Sequence, residues 1–529
     1  MSPKLLLDGY VLYVTLAIGT MVLYCWHRLS VKVGPQEPPL LKPAVPYIGH
    51  IIGLIRYQSG YFDQLHTKHP VPICTLPFIN SKIYIVTSPL LVQSAFRSKH
   101  LSFVPFIVEF AQRSLGLSDE TMLPVKAPPT AEKPGLMNDF IKGVHESMLG
   151  EHLSKINSYA LKSVVASIDE MGDTFEAKSL YFWLRTMMTM VTSDSLFGSY
   201  NPLKLNPSLV DSAWDYEGGM ISIMMGIPPY FAPKAYAART ALQAAFMKYY
   251  GEKHDLEPDV AQMTKARAGV LRDYGIKDAD VGLFEIALLH VATSNAIPTL
   301  FWTFVFIVSS STLTASIRDE LMSAATITTM SESTKRKISF DISKFSTNCP
   351  LLVSAYREAT RLASSQTVTR RVMADTTITD GQTTYLLKEG VDLQMPSGVN
   401  HMSPSNWGPN AAEFDARRFI QSEDGPKTEK EKADEKTQRR AYYPFGGGKH
   451  LCPGRNFAFA EILGTVAALV LGFDVLGTDG KVLMVPKIGR ANMAEAVVKP
   501  TGEGAEMGAV FTKRKGWEDV TWDFKSGQE

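Results

Sequence analysis

The chain has 529 residues, 45% of them apolar and 20% charged, with 54 Lys and Arg against 53 Asp and Glu. A formal net charge of +1 leaves no electrostatic footprint for nucleic acid, and the length allows one large buried core or two. The cysteines at 25, 74, 349 and 452 show neither metal-ligand spacing nor a disulfide framework, and no Asn-x-Ser/Thr acceptor occurs, which together fit a chain whose bulk faces the cytosol.

Gly9 to Trp26 is an uncharged run of 18 residues, extended backwards by Leu5 to Leu7 and long enough to cross a bilayer as a helix. It predicts a single transmembrane signal anchor over 5–26, with residues 1–4 lumenal. A cleaved signal peptide is the rival reading; the length of the run and the lack of a small-x-small cleavage site after it stand against that. His27, Arg28 and Lys32 on the far side, against Lys4 and Asp8 before it, place the remainder in the cytosol by the positive-inside bias. A proline-rich hinge follows over 27–50, in which Gly34 to Pro46 is unable to form a regular helix and predicts a stiff spacer. The remaining 51–529 read as one domain.

Ile73 to Thr87, β-branched and aromatic residues around Asn80, Ser81 and Lys82, predict a hairpin feeding a small sheet. From Ser88 to Met263 the pattern is mostly helical, interrupted by loops at 127–129 and 226–229. Ile286 to Val308 is apolar enough to be counted as a second membrane span, but His290, Thr293, Ser294, Asn295 and Pro298 punctuate it, and polar groups are costly in lipid. The better reading is a long core helix, kinked near Ser294 and Asn295 because Pro298 removes a hydrogen bond. Glu358 and Arg361 stand three apart on one helix face, a pair worth only about 0.2–0.5 kcal/mol if exposed. Ser422 to Arg440 is dense in charge with no apolar face and predicts a solvated insertion. Leu476 to Phe511 alternates strand and turn pieces, with a hairpin tip over Gly502 to Gly508 and a polar tail beyond.

Chemistry concentrates between Tyr443 and Arg455. Glycine accepts left-handed backbone without a side-chain penalty, so Gly446, Gly447 and Gly448 predict a loop that brings the backbone close to something flat or bulky. Pro453 suits the first position of a helix, and Asn456 to Phe473 reads as a buried one. Cys452 then meets the positive end of that helix and free backbone N–H groups, which lower a thiol's pKa and favour the thiolate. A buried structural cysteine beside a glycine turn is the plain alternative.

This stretch resembles the haem-binding signature of the cytochrome P450 family, Phe-x-x-Gly-x-Arg/His-x-Cys-x-Gly, which Phe445, Gly448, His450, Cys452 and Gly454 meet at every defining position. The resemblance runs from the anchor to about residue 512. It implies a mainly α-helical fold with a small β region and a haem b whose iron is held by the Cys452 thiolate, which pushes electron density onto iron and favours O–O cleavage. It further implies that Phe445 packs near the sulfur and that His450 reaches a haem propionate where most relatives use arginine. Glu358 and Arg361 match the family's buried Glu-x-x-Arg, which braces the loop under the haem, with Arg418 of the segment Glu413 to Phe419 as third partner and Ala416 where proline is common. Arg370, five residues before Asp375 and just ahead of an expected strand, matches the arginine that pairs with a propionate, although Arg371 could serve.

Two departures stand out. Leu123 to Leu161 lacks the Trp and Arg that many relatives use to hold propionates; Lys142 or His145 could substitute, or stand at the surface. In the central helix Val291 to Asn295 replaces the family's acid and alcohol, which relay protons to the oxygen being activated. With Pro298, Phe301 and Trp302 it resembles the branch of cholesterol 7-hydroxylase, sterol 12-hydroxylase and prostacyclin synthase, where Asn takes the alcohol position. Asn295, with Ser294 and Thr293, is therefore the expected oxygen and proton machinery. The resemblance implies oxygen insertion into a lipophilic substrate, a steroid, terpenoid or other secondary metabolite. Electrons would come from NADPH through a separate reductase, since the chain has no flavin or dinucleotide motif. It also implies a single-pass protein of the endoplasmic reticulum membrane, in contact with lipid, and a filamentous-fungal member. Lys449, Arg455, Arg439 and Arg440 offer a basic patch for an acidic reductase, unless they are ordinary solvated charges. Two alternatives stay open: a reductase-independent peroxide isomerase of the prostacyclin synthase type, and a non-catalytic haem-binding sensor.

Overall fold

A helix that is apolar all round must be buried, and two such helices organise this chain. The computed structural model describes residues 13, 15, 16, 19, 20, 31–43, 45, 48–78, 81–130, 133–329, 336–420, 427–489, 492 and 495–527. The helices that build the site are α1 (Pro89–Arg97), α2 (Leu136–Ser147), α3 (Gly150–Asp169), α4 (Leu180–Phe197), α5 (Leu209–Met224), α6 (Pro233–Gly251), α7 (Asp278–Thr293), α8 (Ala296–Val308), α9 (Pro350–Ala363), α10 (Glu429–Ala441) and α11 (Arg455–Gly472). From Ile297 to Val308 every residue of α8 is buried, and α8 packs on α4, α9 and α11. α11 is buried without interruption from Ala460 to Gly472 and packs on α3 as well. α9 begins at Pro350, whose φ suits a first helical position, and the Glu320 carboxylate accepts the free N–H groups of Leu351 and Leu352 at 2.7 and 2.9 Å.

The expected long central helix is two helices. α7 and α8 meet at Ser294 and Asn295: Pro298 has no N–H for the Ser294 carbonyl, and Asn295 lies at φ −110°. Thr299 holds the break by donating both its N–H (3.2 Å) and its hydroxyl (2.8 Å) to the Asn295 carbonyl. Among the described residues, α7 with α8 and α11 are the stretches long and apolar enough to cross a membrane, and in each 78% of the apolar window is buried within the protein. Ile286–Val308 is thus core, as its polar residues require. The expected anchor over 5–26 lies outside the described residues apart from Tyr13, Thr15, Leu16, Gly19 and Thr20, which are helical.

A five-stranded sheet runs in the spatial order Ile73–Phe78, Ser81–Val86, Asp392–Pro396, Thr367–Val372 and Leu101–Ser102. The first two strands form the expected hairpin, in antiparallel register with Ile73 opposite Val86; residues 79 and 80 of its turn lie outside the described residues. The hinge is no free spacer along its described part. It docks on this sheet, with Leu41 N–H donating to the Thr75 carbonyl (2.9 Å), Thr75 N–H to that of Pro39 (2.8 Å), and Glu37 taking Lys82 and the Tyr84 hydroxyl.

Two other expectations are corrected. Glu503–Glu506 forms one helical turn against α4, so Gly502 to Gly508 is not a hairpin tip; the strands on either side of it, Phe473–Gly477 and Ala509–Lys513, pair directly with each other. The polar tail is a strand, Val520–Lys525, parallel to Arg336–Asp341, because Trp522 and Phe524 have apolar partners there. The charged insertion is exposed, as expected, and from Glu429 it forms a helix, α10, started by a capping box between Thr428 and Glu431, while residues 421–426 lie outside the described residues.

Candidate active site

The brace comes first because it fixes everything beneath the cysteine loop. Glu358, fully buried, accepts hydrogen bonds from Arg361 Nε (2.8 Å) and Nη2 (2.7 Å), Arg418 Nε (2.8 Å) and the Asp415 N–H (3.2 Å). Arg361, also fully buried, lies over the Trp407 ring and donates to the His401 carbonyl. Arg418 donates to the carbonyls of Trp407 and Asn410, both at 3.0 Å. Two guanidinium groups on one carboxylate leave a surplus positive charge, which these backbone carbonyls solvate. The brace reaches the cysteine loop through residues that sequence reasoning missed. His401 Nε2 accepts the Tyr443 N–H at 3.2 Å, and Asn400 Nδ2 donates to the Tyr443 hydroxyl at 2.8 Å. Burial and Arg361 hold the His401 imidazole at about 3, so it is a neutral acceptor at physiological pH.

Beyond Tyr443 the loop needs its glycines. Gly446 and Gly448 lie at φ +70° and +65°. A Cβ on Gly447 would stand 2.3 Å from the Phe96 ring, and one on Gly448 would stand 2.1 Å from the Phe96 carbonyl oxygen, so the loop packs tight on α1. Cys452 N–H donates to the Phe445 carbonyl (3.1 Å), and Arg455 Nη1 to the Cys452 carbonyl (2.9 Å), setting the sulfur ahead of α11. The expected lowering of the thiol is overturned: burial pushes the Cys452 pKa up, against the opposing pull of the Gly454 and Arg455 N–H groups and the Arg455 charge. Desolvation outweighs the helix end here; a thiol in such a place is deprotonated by the metal it binds.

Arg370 is the other half of the site. It lies within the Thr367–Val372 strand rather than ahead of one, and side chains alternate along it. Arg371 faces out and is consumed by Asp392 (2.8 Å) and Glu109. Arg370 faces in, 5% exposed, between the rings of Phe96 and Phe103, and donates to the carbonyls of Thr369 (2.8 Å) and Gly447 (3.2 Å). No carboxylate pairs with it among the described residues, and burial lowers its pKa to about 10. His450 Nε2 accepts the Phe103 N–H at 3.2 Å, and burial with the nearby charges of Arg370, Lys449 and His145 holds its imidazole at about 4. Lys142 stands exposed beside Glu146, which leaves it at the surface, whereas His145 is half-buried.

The α7–α8 break supplies the open face. Val291 is 57% exposed and Ala292, Asn295 and Ala296 are half-buried, in contrast to the unbroken burial of α8. The Asn295 carboxamide makes no hydrogen bond among the described residues. The Thr293 hydroxyl turns back onto the Leu289 carbonyl at 2.8 Å, and Ser294 is buried within the break.

These residues fit a haem. The Cys452 sulfur, set ahead of α11 on the glycine loop, suits an iron whose other ligands belong to a macrocycle. A buried arginine without a counter-charge, hydrogen-bonded to the cysteine loop, suits a propionate. Fold and site together define a haem-thiolate oxidoreductase. The family model described as Cytochrome P450 matches residues 278–492. A cytochrome P450 monooxygenase of Gibberella zeae is 36% identical across 94% of this chain and 92% of its own, and the monooxygenase nodJ of Hypoxylon pulicicidum is 29% identical across 97% of both. The human 7-alpha-hydroxycholest-4-en-3-one 12-alpha-hydroxylase is 24% identical across 83% of this chain and 87% of its own. The solved structure of retinoic acid bound cyanobacterial CYP120A1 superposes with a TM-score of 0.64 over 91% of this chain and 100% of that one, at 17% identity. This chain belongs to the cytochrome P450 family, as a monooxygenase with that family's fold.

Proposed function

We propose that the chain inserts one atom of molecular oxygen into a lipophilic small molecule, a steroid, terpenoid or similar secondary metabolite, with electrons that originate in NADPH and arrive from a separate reductase. The observation that carries this reading is the meeting of Cys452 and the uncompensated Arg370 guanidinium on one glycine loop. Cys452 would hold the iron of a haem b, with Phe445, Gly448 and Gly454 shaping the loop and Arg370 and His450 taking the propionates. The haem, when bound, supplies oxygen activation. Asn295 would steer oxygen or hold a water by hydrogen bonds, because a carboxamide does not relay a proton as a hydroxyl does. With the Thr293 hydroxyl committed to Leu289, Ser294 and solvent complete the proton path. Glu358, Arg361 and Arg418 hold the scaffold.

Single-pass attachment to the endoplasmic reticulum membrane, catalytic domain in the cytosol, belongs to the same reading. Apolar side chains left in water support it: Ile52 and Ile55 on the helix Gly49–Tyr57, and Met225, Tyr230 and Phe231 between α5 and α6, the tyrosine 86% exposed. The free Asn295 carboxamide favours one second reading, a peroxide rearrangement that needs neither reductase nor proton relay. Turnover of the natural substrate under isotopic oxygen separates the two. Label in the product supports the monooxygenase, and anaerobic turnover on a peroxide refutes it.

A further inference from the structure

Beneath the cysteine loop, three buried side-chain atoms have no hydrogen-bond partner among the described residues: His401 Nδ1 and the hydroxyls of Ser364 and Ser397. The three residues are 0%, 4% and 0% exposed. Ser397 and His401 stand four apart on the helix Ser397–His401, so they share one face, with Cβ atoms about 5–6 Å apart. Ser364 closes α9, and the Ser397 N–H donates at 2.8 Å to the carbonyl of Gln366, two residues further on. Burial and the Arg361 charge keep the His401 ring neutral, while the carbonyls of Arg361 and Ser364 bear on it from the end of α9 without closing a hydrogen bond to Nδ1.

Buried polar groups are nearly always paired, and the chemistry of these three selects their partner. His401 Nε2 accepts the Tyr443 N–H at 3.2 Å and must be bare, so the neutral ring carries its proton on Nδ1. Nδ1 is then a donor, and each hydroxyl both donates and accepts. A cation would oppose Nδ1–H and the buried Arg361 guanidinium. An anion would face the two carbonyls. A water accepts from Nδ1, bonds both hydroxyls, and so makes the three hydrogen bonds usual for a buried water, about three.

The consequence lies in the tautomer. With the proton on Nε2, two N–H groups would face each other and the bond to Tyr443 would be lost. Tyr443 opens the loop of Cys452: its carbonyl accepts the Gly446 N–H at 3.0 Å, and the Phe445 carbonyl accepts the Cys452 N–H at 3.1 Å. We propose that one buried water, bound by Ser364, Ser397 and His401 Nδ1, locks His401 in its Nδ1–H tautomer and makes His401 a positioning residue for the Cys452 loop. The proposal rests on the haem-thiolate reading for its spectroscopic test only.

The test uses full-length holoprotein. A crystal structure should show a water about 3 Å from His401 Nδ1 and from both hydroxyls. The S364A/S397A variant removes two of the water's partners, and in mild urea its reduced, carbon-monoxide-bound form should pass from the red-shifted to the unshifted Soret band about tenfold to a hundredfold faster than the wild type. In H401Q the carboxamide oxygen accepts the Tyr443 N–H with no tautomer to lock, so adding the two serine changes to H401Q should leave the rate unchanged. A mere packing role for the serines would speed conversion equally in both backgrounds. That result overturns the proposal, as does a wild-type rate in S364A/S397A, or a structure that resolves other internal waters and has none here. The crystallographic arm stands whether or not H401Q retains haem. Failure of the haem-thiolate reading shows elsewhere, in a red-shifted band that survives Cys452→Ser.

Discussion

Glu358→Gln removes one negative charge and almost no volume from the brace. Four hydrogen bonds converge on the native carboxylate, three of them from guanidinium groups, and Glu358 and Arg361 are fully buried. The amide keeps the shape and one acceptor oxygen, but its NH2 group opposes a guanidinium donor and no anion remains to neutralise two largely desolvated cations. Breaking a buried pair costs about 3–5 kcal/mol. With an unfolding entropy of about 2 cal/mol/K per residue, a chain of this length loses about 1 °C of melting temperature per kcal/mol, so the variant should melt about 3–5 °C lower. Because Arg361 and Arg418 anchor the carbonyls that lead to Tyr443, the loss should extend to haem retention, read as a smaller reduced carbon monoxide band per mole of protein. Scanning calorimetry and that spectrum together make the assay. An unchanged melting temperature with full haem content would refute the reasoning, and Arg418→Lys, which keeps charge but not the guanidinium fork, should fall between the two.

Cys452→Ser should lose the red-shifted Soret band of reduced, carbon-monoxide-bound protein; an unshifted wild-type spectrum would show the ligand assignment, and the haem-thiolate class with it, to be wrong. Asn295→Ala should release more peroxide per NADPH while product falls, and equal coupling in both forms would remove Asn295 from the oxygen machinery. Reversing charge at Lys449 and Arg439 should slow reduction by the reductase more at low than at high ionic strength, since exposed charges are screened by salt; identical rates at low salt would exclude the patch. His290 and His401 both have folded pKa values depressed below the ordinary 6.5, to about 4 and about 3. Their neutral forms therefore stabilise the fold above pH 6.5, and that contribution falls as the pH drops through 6.5 towards 4 and then 3, as unfolding takes up protons. H290Q should show a shallower decline in melting temperature between pH 6.5 and 4 than the wild type, and a superposable pH profile would contradict the assignment.

Local physics made part of this protein legible before any fold was known. The β-branched run at Ile73–Thr87, the apolar stretch after Cys452 and the kink near Asn295 each follow from neighbours a few residues away: strand alternation, uninterrupted burial, and a proline that withholds one N–H. The spaced signature from Phe445 to Gly454 and the Glu358, Arg361 and Arg418 set were readable through their resemblance to the cytochrome P450 family; taken alone, Glu358 and Arg361 are only a weak helix pair.

What the tertiary structure alone decided depends on residues brought together from far along the chain. His401 and Asn400 hold Tyr443 from more than forty positions away, a contact with no periodicity to announce it. Which of Arg370 and Arg371 faces inward is set by strand register against Asp392. The C-terminal strand looked polar because its apolar partners, on Arg336–Asp341, lie some 184 residues earlier. The Cys452 thiol is the clearest case. The helix end that lowers its pKa is visible in the sequence, whereas the burial that overrides it is a sum over everything packed around the loop, and only the folded chain computes that sum.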